Sequence, residues 1–401
     1  MGEHTSTQRV AGDKGRSTLG ELIHAALREA TEAAVEAELA ATLGAGRYER
    51  RDSRHGYRNG TKTRALSRPT GALALSLPRA TMVTSTGRQE WRSTLVPRYQ
   101  RRLAEVNTAV LATYLAGGNT RRIRGALAPL LHGAPLSRSA VSRIVATLKS
   151  SLEGWPRRPV DDLEVVYVYL DALALRVRSG GKVVSVPVLA VVGVLADGRK
   201  VLVELDLCGG ESYEAWKGCL DGLVARGLIP PLLCILDGHA GLRRAVGEVW
   251  PRAAVRRCCV HKLRNLERKA PKHVLDELRA DFHRIVYAAS AETARTAWTA
   301  FERTWEKRCP GVRKSLQEEG AELLTFFSFP KAQWKTLRTT NSIERLNEEF
   351  RRRVKTQGSL PTEDSARILL FGLVATGQIT LHKLDGYPHL GAVIRQRMRA
   401  A

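Results

Sequence analysis

At Trp155-Pro156-Arg157-Arg158-Pro159 the spacing of apolar residues changes, and this switch of period limits the fold more than any other feature of the chain. Upstream, residues 99–152 carry apolar positions at helical spacing in three blocks. Tyr99 to Leu115 is stopped by Gly117-Gly118, Thr120 to about Leu131 is stopped near Gly133, and Arg138 to about Leu152 follows Ser137, a capping residue. Downstream, short Val-rich runs predict strands over Glu164 to Leu170, Lys182 to Ala196, Val201 to Leu207, Leu232 to Leu236 and Ala254 to Cys258. Helical patterns over Glu211 to Ala225 and Ala240 to Val249 separate the last three strands. From His261 to about Phe329 the pattern is helical. Pro330 closes it, and a last long helix opens near Asn341.

Three strands able to form a meander, then helix, strand, helix, strand, predict an α/β fold of RNase H-like order. Two strands end at an acid: Tyr167-Val168-Tyr169-Leu170 at Asp171, and Leu233-Cys234-Ile235-Leu236 at Asp237, which Gly238 follows. Strand interiors disfavour Asp, and α/β sheets place their sites at strand ends. One such Asp is equally a turn or cap residue, but two on neighbouring strands point to a shared task. Phosphoryl transfer with two divalent ions needs carboxylates around ions about 3.5–4 Å apart, and Mg2+ takes hard oxygen ligands that it shares with phosphate. A third carboxylate is expected from a helix laid against the sheet, and Thr339-Thr340-Asn341-Ser342-Ile343-Glu344 opens one. Asn341 and Glu344 also match an N-cap and its reciprocal partner. Glu348 and Glu349 are rival carboxylates, so pattern alone leaves the third position open.

Lys and Arg number 64 against 40 Asp and Glu, a formal net charge of +24, which suits a polyanionic partner. The cations interleave with apolar core positions rather than forming a tail. That fits an enzyme with a broad DNA footprint better than a ribosomal or membrane-surface protein. No run reaches the roughly 18 apolar residues of a membrane helix, and the N-terminus lacks a signal-peptide core. Cys208, Cys219, Cys234, Cys258, Cys259 and Cys309 are not spaced as zinc knuckles, so free thiols in a reducing cytoplasm are expected.

Residues 1–16 are polar and expected to be disordered. Residues 17–43 predict a helix ended by Gly44 and Gly46; its apolar positions Leu19, Leu22, Ile23, Ala26 and Leu27 serve equally a core face or a dimer face. A basic segment follows with a turn at Asn59-Gly60, then a short strand over Leu73, Leu75 and Leu77 ended by Pro78. The three helices of 99–155, joined by Gly-bearing turns, predict a helix-turn-helix whose third helix presents Arg138, Ser139, Ser142 and Arg143 to DNA. A plain helical bundle with solvated arginines is the alternative.

Together these blocks resemble the Mutator-type transposases of bacterial insertion sequences, a DDE family. The resemblance rests on Tyr-Leu-Asp at 169–171, Leu-Asp-Gly-His at 236–239, Cys258-Cys259-Val260-His261 with Arg264-Asn265, and Thr-Thr-Asn-Ser-Ile-Glu-Arg-Leu-Asn at 339–347. Gly-Tyr-Arg-Asn-Gly at 56–60, Glu211 with Trp216, and Ser-Arg-Ser-Ala-Val-Ser-Arg at 137–143 add weaker matches in the same order. The doubled cysteine and a C-terminal tail that matches little depart from the pattern. The resemblance implies Asp171, Asp237 and Glu344 as catalytic residues holding Mg2+ or Mn2+, two ions by the usual chemistry. It implies double-stranded DNA as partner, both terminal inverted repeats and target, with a homodimer or larger assembly formed on it and no membrane. It places the protein in the bacterial cytoplasm at the nucleoid. The implied layout is a disordered tail (1–16), a helical and basic segment (17–98), a helix-turn-helix domain (99–155), an RNase H-like catalytic domain (160–380) with an all-helical insertion at about 262–335, and a tail (381–401). The DNA-binding region is thus expected to be mainly α-helical.

Cys258-x-x-His261 suggests zinc, which needs four ligands; His239 and His273 are the conceivable additions, without characteristic spacing. The preferred reading puts His261 beside the acids, positioning phosphate or a ligand carboxylate; a helix N-terminal histidine without catalytic role is the rival. Arg345, Arg351, Arg352, Arg353 and Lys355 follow Glu344 on one helix, and with Lys262 and Arg264 are expected to contact phosphate, a solvated face being the alternative. Two other functions stay open: a catalytically inactive, transposase-derived DNA-binding regulator, and an RNase H-type nuclease that cuts without joining.

Overall fold

The computed structural model describes residues 19–69, 71–118, 120–131, 134, 136–179, 181–318, 320–355 and 360–400. The tail of residues 1–16, expected to be disordered, lies outside them. The described residues form a mixed α/β structure in two compact units, one within Met1–Tyr114 and Asn119–Ile144, the other within Leu115–Gly118 and Val145–Ala401.

In the first unit, α1 (Leu19–Leu43) buries only its C-terminal half, through Val35, Leu39 and Leu43. Leu19, Leu22, Ile23 and Leu27 are exposed. β1 (Gly56–Arg68), β2 (Gly71–Thr84) and β3 (Gly87–Glu90) make an antiparallel sheet in the order β1-β2-β3. Leu73, Leu75 and Leu77 point inward and pack with Val35, Leu66 and Val96. The strand predicted to end at Pro78 continues to Thr84. β3 pairs with β2 only over Thr81–Thr84, so Pro78 sits on an edge stretch, where a missing N–H is tolerated. β1 is mostly exposed and polar, so it carries no apolar alternation for a sequence reading to detect. A sheet thus occupies much of a segment expected to be helical. α2 (Ala104–Leu115), α3 (Thr120–Leu131) and α4 (Arg138–Gly154) follow, with Leu115 and the part of α4 from Val145 on belonging to the second unit. α2 starts later than Tyr99 because the chain first pairs with β1: Ser67 N–H donates to Arg101 O, and Leu103 N–H to Ser67 O.

In the second unit, β4 (Val165–Ser179), β5 (Lys182–Leu195) and β6 (Lys200–Leu207) form an antiparallel meander. After α5 (Tyr213–Ala225), β7 (Leu233–Leu236) joins β4 in parallel; after α6 (Ala240–Val249), β8 (Ala254–Arg257) joins β7 in parallel. The sheet order is β6-β5-β4-β7-β8. Trp216, Leu220 and Leu223 of α5 and Leu242 and Val246 of α6 pack with Val168, Leu170, Leu189 and Val191. α7 (Cys259–Glu267), α8 (Leu275–Val286), α9 (Ala291–Arg308), α10 (Pro310–Gln317) and α11 (Trp334–Leu337) fill the interval before α12 (Asn341–Lys355). α12 is not the last helix: α13 (Glu363–Ala375) and α14 (Leu390–Ala400) follow it.

One correction bears on the site. β4 does not end at Leu170 but runs eight residues beyond Asp171, to Ser179, paired with β5 throughout. Only its pairing with β7 stops at Leu170. Asp171 is therefore inside a strand whose parallel neighbour has just ended.

Candidate active site

Register builds the centre. Leu170 is opposite Leu236, and Leu236 is opposite Arg257, across three parallel strands. The next residue of each strand is Asp171, Asp237 and Cys258, so these three form one row at the carboxyl end of the parallel sheet. Paired positions of a sheet send their side chains to the same face. Gly238 then turns the chain at a φ of +101°, where a Cβ would collide with the Arg257 guanidinium.

Asp171 is 8% exposed. Its Oδ1 accepts from the Ala172 N–H (3.0 Å), and its Oδ2 from Asn347 Nδ2 (2.7 Å). Burial, then the neighbouring charge of Asp237, push its pKa up to about 7; Glu344 adds to the rise and His261 opposes it. Asp237 Oδ1 accepts from the His239 N–H at 2.9 Å. Glu344 stands in the first turn of α12. Thr340 Oγ1 lies 3.0 Å from its Oε1, and His261 Nδ1 3.5 Å from the same atom. Thr340 Oγ1 is also 3.2 Å from Cys258 Sγ, so its one proton serves either acceptor but not both at once. His261 has its pKa raised chiefly by the Cys258 sulfur beside it, against burial, with Glu344 and Asp237 adding. Burial alone would raise the Cys258 thiol, but His261, Arg256 and Thr340 outweigh it and bring it down to about 7.

The structure thus brings Asp171, Asp237, Glu344 and His261 together. Glu348 is exposed and lines a cavity with Lys200, Arg345 and Arg352. Asn347, three residues after Glu344 and buried, was not singled out from sequence. Its place one helical turn from Glu344 was the available signal.

The basic candidates divide. Arg264, Arg345, Arg351 and Arg352 are exposed, Arg352 paired with Glu349 at 2.6 Å. Lys262 corrects the expectation of a phosphate contact: it is fully buried, and its Nζ donates to the carbonyls of Ser315 and Glu318. At this position the Lys262 ammonium ties α7 to the C-terminal end of α10 rather than serving as a surface cation. Arg138, Ser139, Ser142 and Arg143 are all exposed on α4.

Sequence reading also missed a groove in the N-terminal unit. A cavity of about 740 Å3 is lined by Lys62, Arg64, Arg79, Arg92, Arg98, Arg101, Arg102 and Arg143, with Trp91 and Tyr99 among them and Glu90 as its one carboxylate among the described residues. Arg64 holds the wall by donating to the carbonyls of Pro97 (2.8 Å) and Gln100 (2.7 Å). Arg102 has its pKa lowered by burial, then by the charges of Arg143 and Arg101. These residues are scattered over some eighty positions and share no period, so no local pattern announces them.

Comparison with known proteins gives a consistent picture. The family described as "Transposase, Mutator family" matches residues 2–379. The chain is 35% identical over 351 residues to the transposase for insertion sequence element ISRM5 of Rhizobium meliloti, covering 86% of this chain and 85% of that one. It is 31% identical over 395 residues to the transposase for IS1081 of Mycobacterium tuberculosis, covering 98% and 93%. To the transposase for IS406 of Burkholderia multivorans it is 33% identical over 356 residues, covering 87% and 89%.

Proposed function

Because this chain belongs to the Mutator family of insertion-sequence transposases, we propose that it binds its element's terminal inverted repeats and cuts and rejoins DNA through Asp171, Asp237 and Glu344. The observation that carries this reading is the register that aligns Asp171 with Asp237 at the end of the parallel strands, with Glu344 near enough for its charge to act on Asp171. The antiparallel meander β4–β6 followed by parallel β7 and β8 supports an RNase H-like core.

In the first step water attacks a phosphodiester at the element's end. The new P–O bond replaces the bond to the 3′ oxygen, which leaves as a 3′-hydroxyl. In the second step that hydroxyl attacks a target phosphodiester and expels the target's 3′ oxygen. The donor set fits hard divalent cations: it is made of carboxylate oxygens, and the burial and the Asp237 charge that push Asp171 up are what a cation offsets. Asp171, Asp237 and Glu344 would hold Mg2+ or Mn2+, two ions by the usual chemistry. When bound, such ions lower the pKa of the attacking oxygen and stabilise the leaving one. The chain's own groups fix the carboxylates: Asn347 orients Asp171, the His239 amide orients Asp237, and Thr340 and His261 bracket Glu344.

The groove of the N-terminal unit and the exposed α4 residues Arg138, Ser139, Ser142 and Arg143 are the DNA-binding surface in this reading, with α3 and α4 as its helix-turn-helix. Transposition joins two element ends, so a dimer or larger assembly on DNA follows. The test is a plasmid carrying the element's ends, incubated with purified protein and Mg2+. Cut and joined products are expected. Cutting without joining would favour an RNase H-type nuclease, and neither product a DNA-binding regulator.

A further inference from the structure

We propose that Cys258, His261 and Glu344 form a binding site for a thiophilic divalent cation, zinc or cadmium. The Cys258 Sγ, a ring nitrogen of His261 and a carboxylate oxygen of Glu344 lie within 4.8 Å of one another. Cys258 is the residue before α7 and His261 is in that helix's first turn, so one helix start presents both donors. Glu344 comes from the first turn of α12, held there by Thr340. Thiolate, imidazole and carboxylate are the donors zinc selects, whereas Mg2+ prefers oxygen alone. Cys258 is fully buried, and the buried Arg256 guanidinium nearby offsets the charge of a thiolate. His261 Nδ1 is buried and stands 3.5 Å from Glu344 Oε1, so it faces the same space as the carboxylate that would share the ion. Three protein ligands leave the fourth tetrahedral position for water.

Of His239 and His273, the conceivable additions in the sequence, His239 caps α6, its Nδ1 accepting from the Leu242 N–H. Glu344 takes the place beside Cys258 and His261 instead. Glu344 thereby belongs to two donor sets, one hard and one soft, and serves one at a time. A bound zinc ion withdraws it from the carboxylate trio and halts strand cleavage. That consequence rests on the proposed function; the binding itself does not.

Cadmium titrated into the full-length chain reads the site directly, through the ultraviolet sulfur-to-cadmium charge-transfer band. A stoichiometric band is expected, displaced by zinc and not by excess Mg2+. Cys258→Ser should lose it, Cys309→Ser should keep it, and His261→Gln and Glu344→Gln should weaken binding about tenfold or more. His261→Gln alters only a half-buried ring, so it remains informative should Cys258→Ser fail to fold. No band in the native chain, or a band that survives both Cys258→Ser and His261→Gln, overturns the proposal. A chain that shows the band but never cuts DNA would leave this site standing and sink the proposed function instead.

Discussion

The acidic end of the five-stranded sheet and the basic groove of the N-terminal unit concentrate opposite charge by different means. At the sheet, backbone pairing does the gathering: a one-residue slip of β7 against β4 would send every following side chain to the other face. In the groove, side chains from β1, β2, α4 and the loop after β3 converge, and side chains alone set the spacing. Both sites hold like charges together at a cost. Asp171 is pushed up to about 7 by burial and Asp237, and Arg102 is pulled down by burial and its arginine neighbours. In the proposed function each meets a ligand of opposite sign, a small hard cation at the sheet and an extended polyanion at the groove. On the proposed function the difference predicts where tolerance lies: little at the sheet end, where three carboxylates share one task, and more in the groove, which is lined by many cations.

The sharpest test of that contrast is at the acids. Asp171→Asn, Asp237→Asn and Glu344→Gln should each abolish Mg2+-dependent cleavage and joining in the plasmid assay while leaving metal-free DNA binding intact. Each keeps its size and loses the anionic oxygen that Mg2+ requires. Glu348→Gln, on the exposed side of α12, should remain active; the reverse outcome would move the third ligand by one turn. Next in size is Asn347→Ala, which removes the donor that orients Asp171. It should weaken metal dependence about 10–100-fold, read as a shift of the activity curve against Mg2+ concentration. An unshifted curve would mean that register alone orients Asp171.

The groove should respond more gently. Arg92→Ala combined with Arg101→Ala should lower the salt slope of log K for metal-free DNA binding by about 1.8, at about 0.9 for each lost phosphate contact. Cleavage at saturating protein should persist, and its loss would break the separation between the two regions. Smallest is Arg351→Ala on α12, with an expected slope change of about 0.9 and no change in sequence preference. An unchanged slope would return that residue to a solvated face.

Much of this molecule was open to a sequence reading. The apolar runs 165–170 and 233–236, their terminal acids, the helix opening at Asn341 and the order of elements are local patterns, and burial on both faces of a strand writes itself as an unbroken apolar run. What pairing and packing decide was not open. The continuation of β4 past Asp171 depends on its antiparallel partner β5, and the half-burial of Glu344 against the exposure of Glu348 depends on which side of α12 meets the rest of the unit. Lys262 is buried because carbonyls of Ser315 and Glu318, more than fifty residues away in sequence, receive its ammonium group. The row of Asp171, Asp237 and Cys258 comes from two strand registers. A residue's type and its spacing to near neighbours are properties of the chain alone. Which distant group satisfies its charge or hydrogen bond is set by tertiary contacts, because buried polar groups must be paired wherever the fold brings a partner.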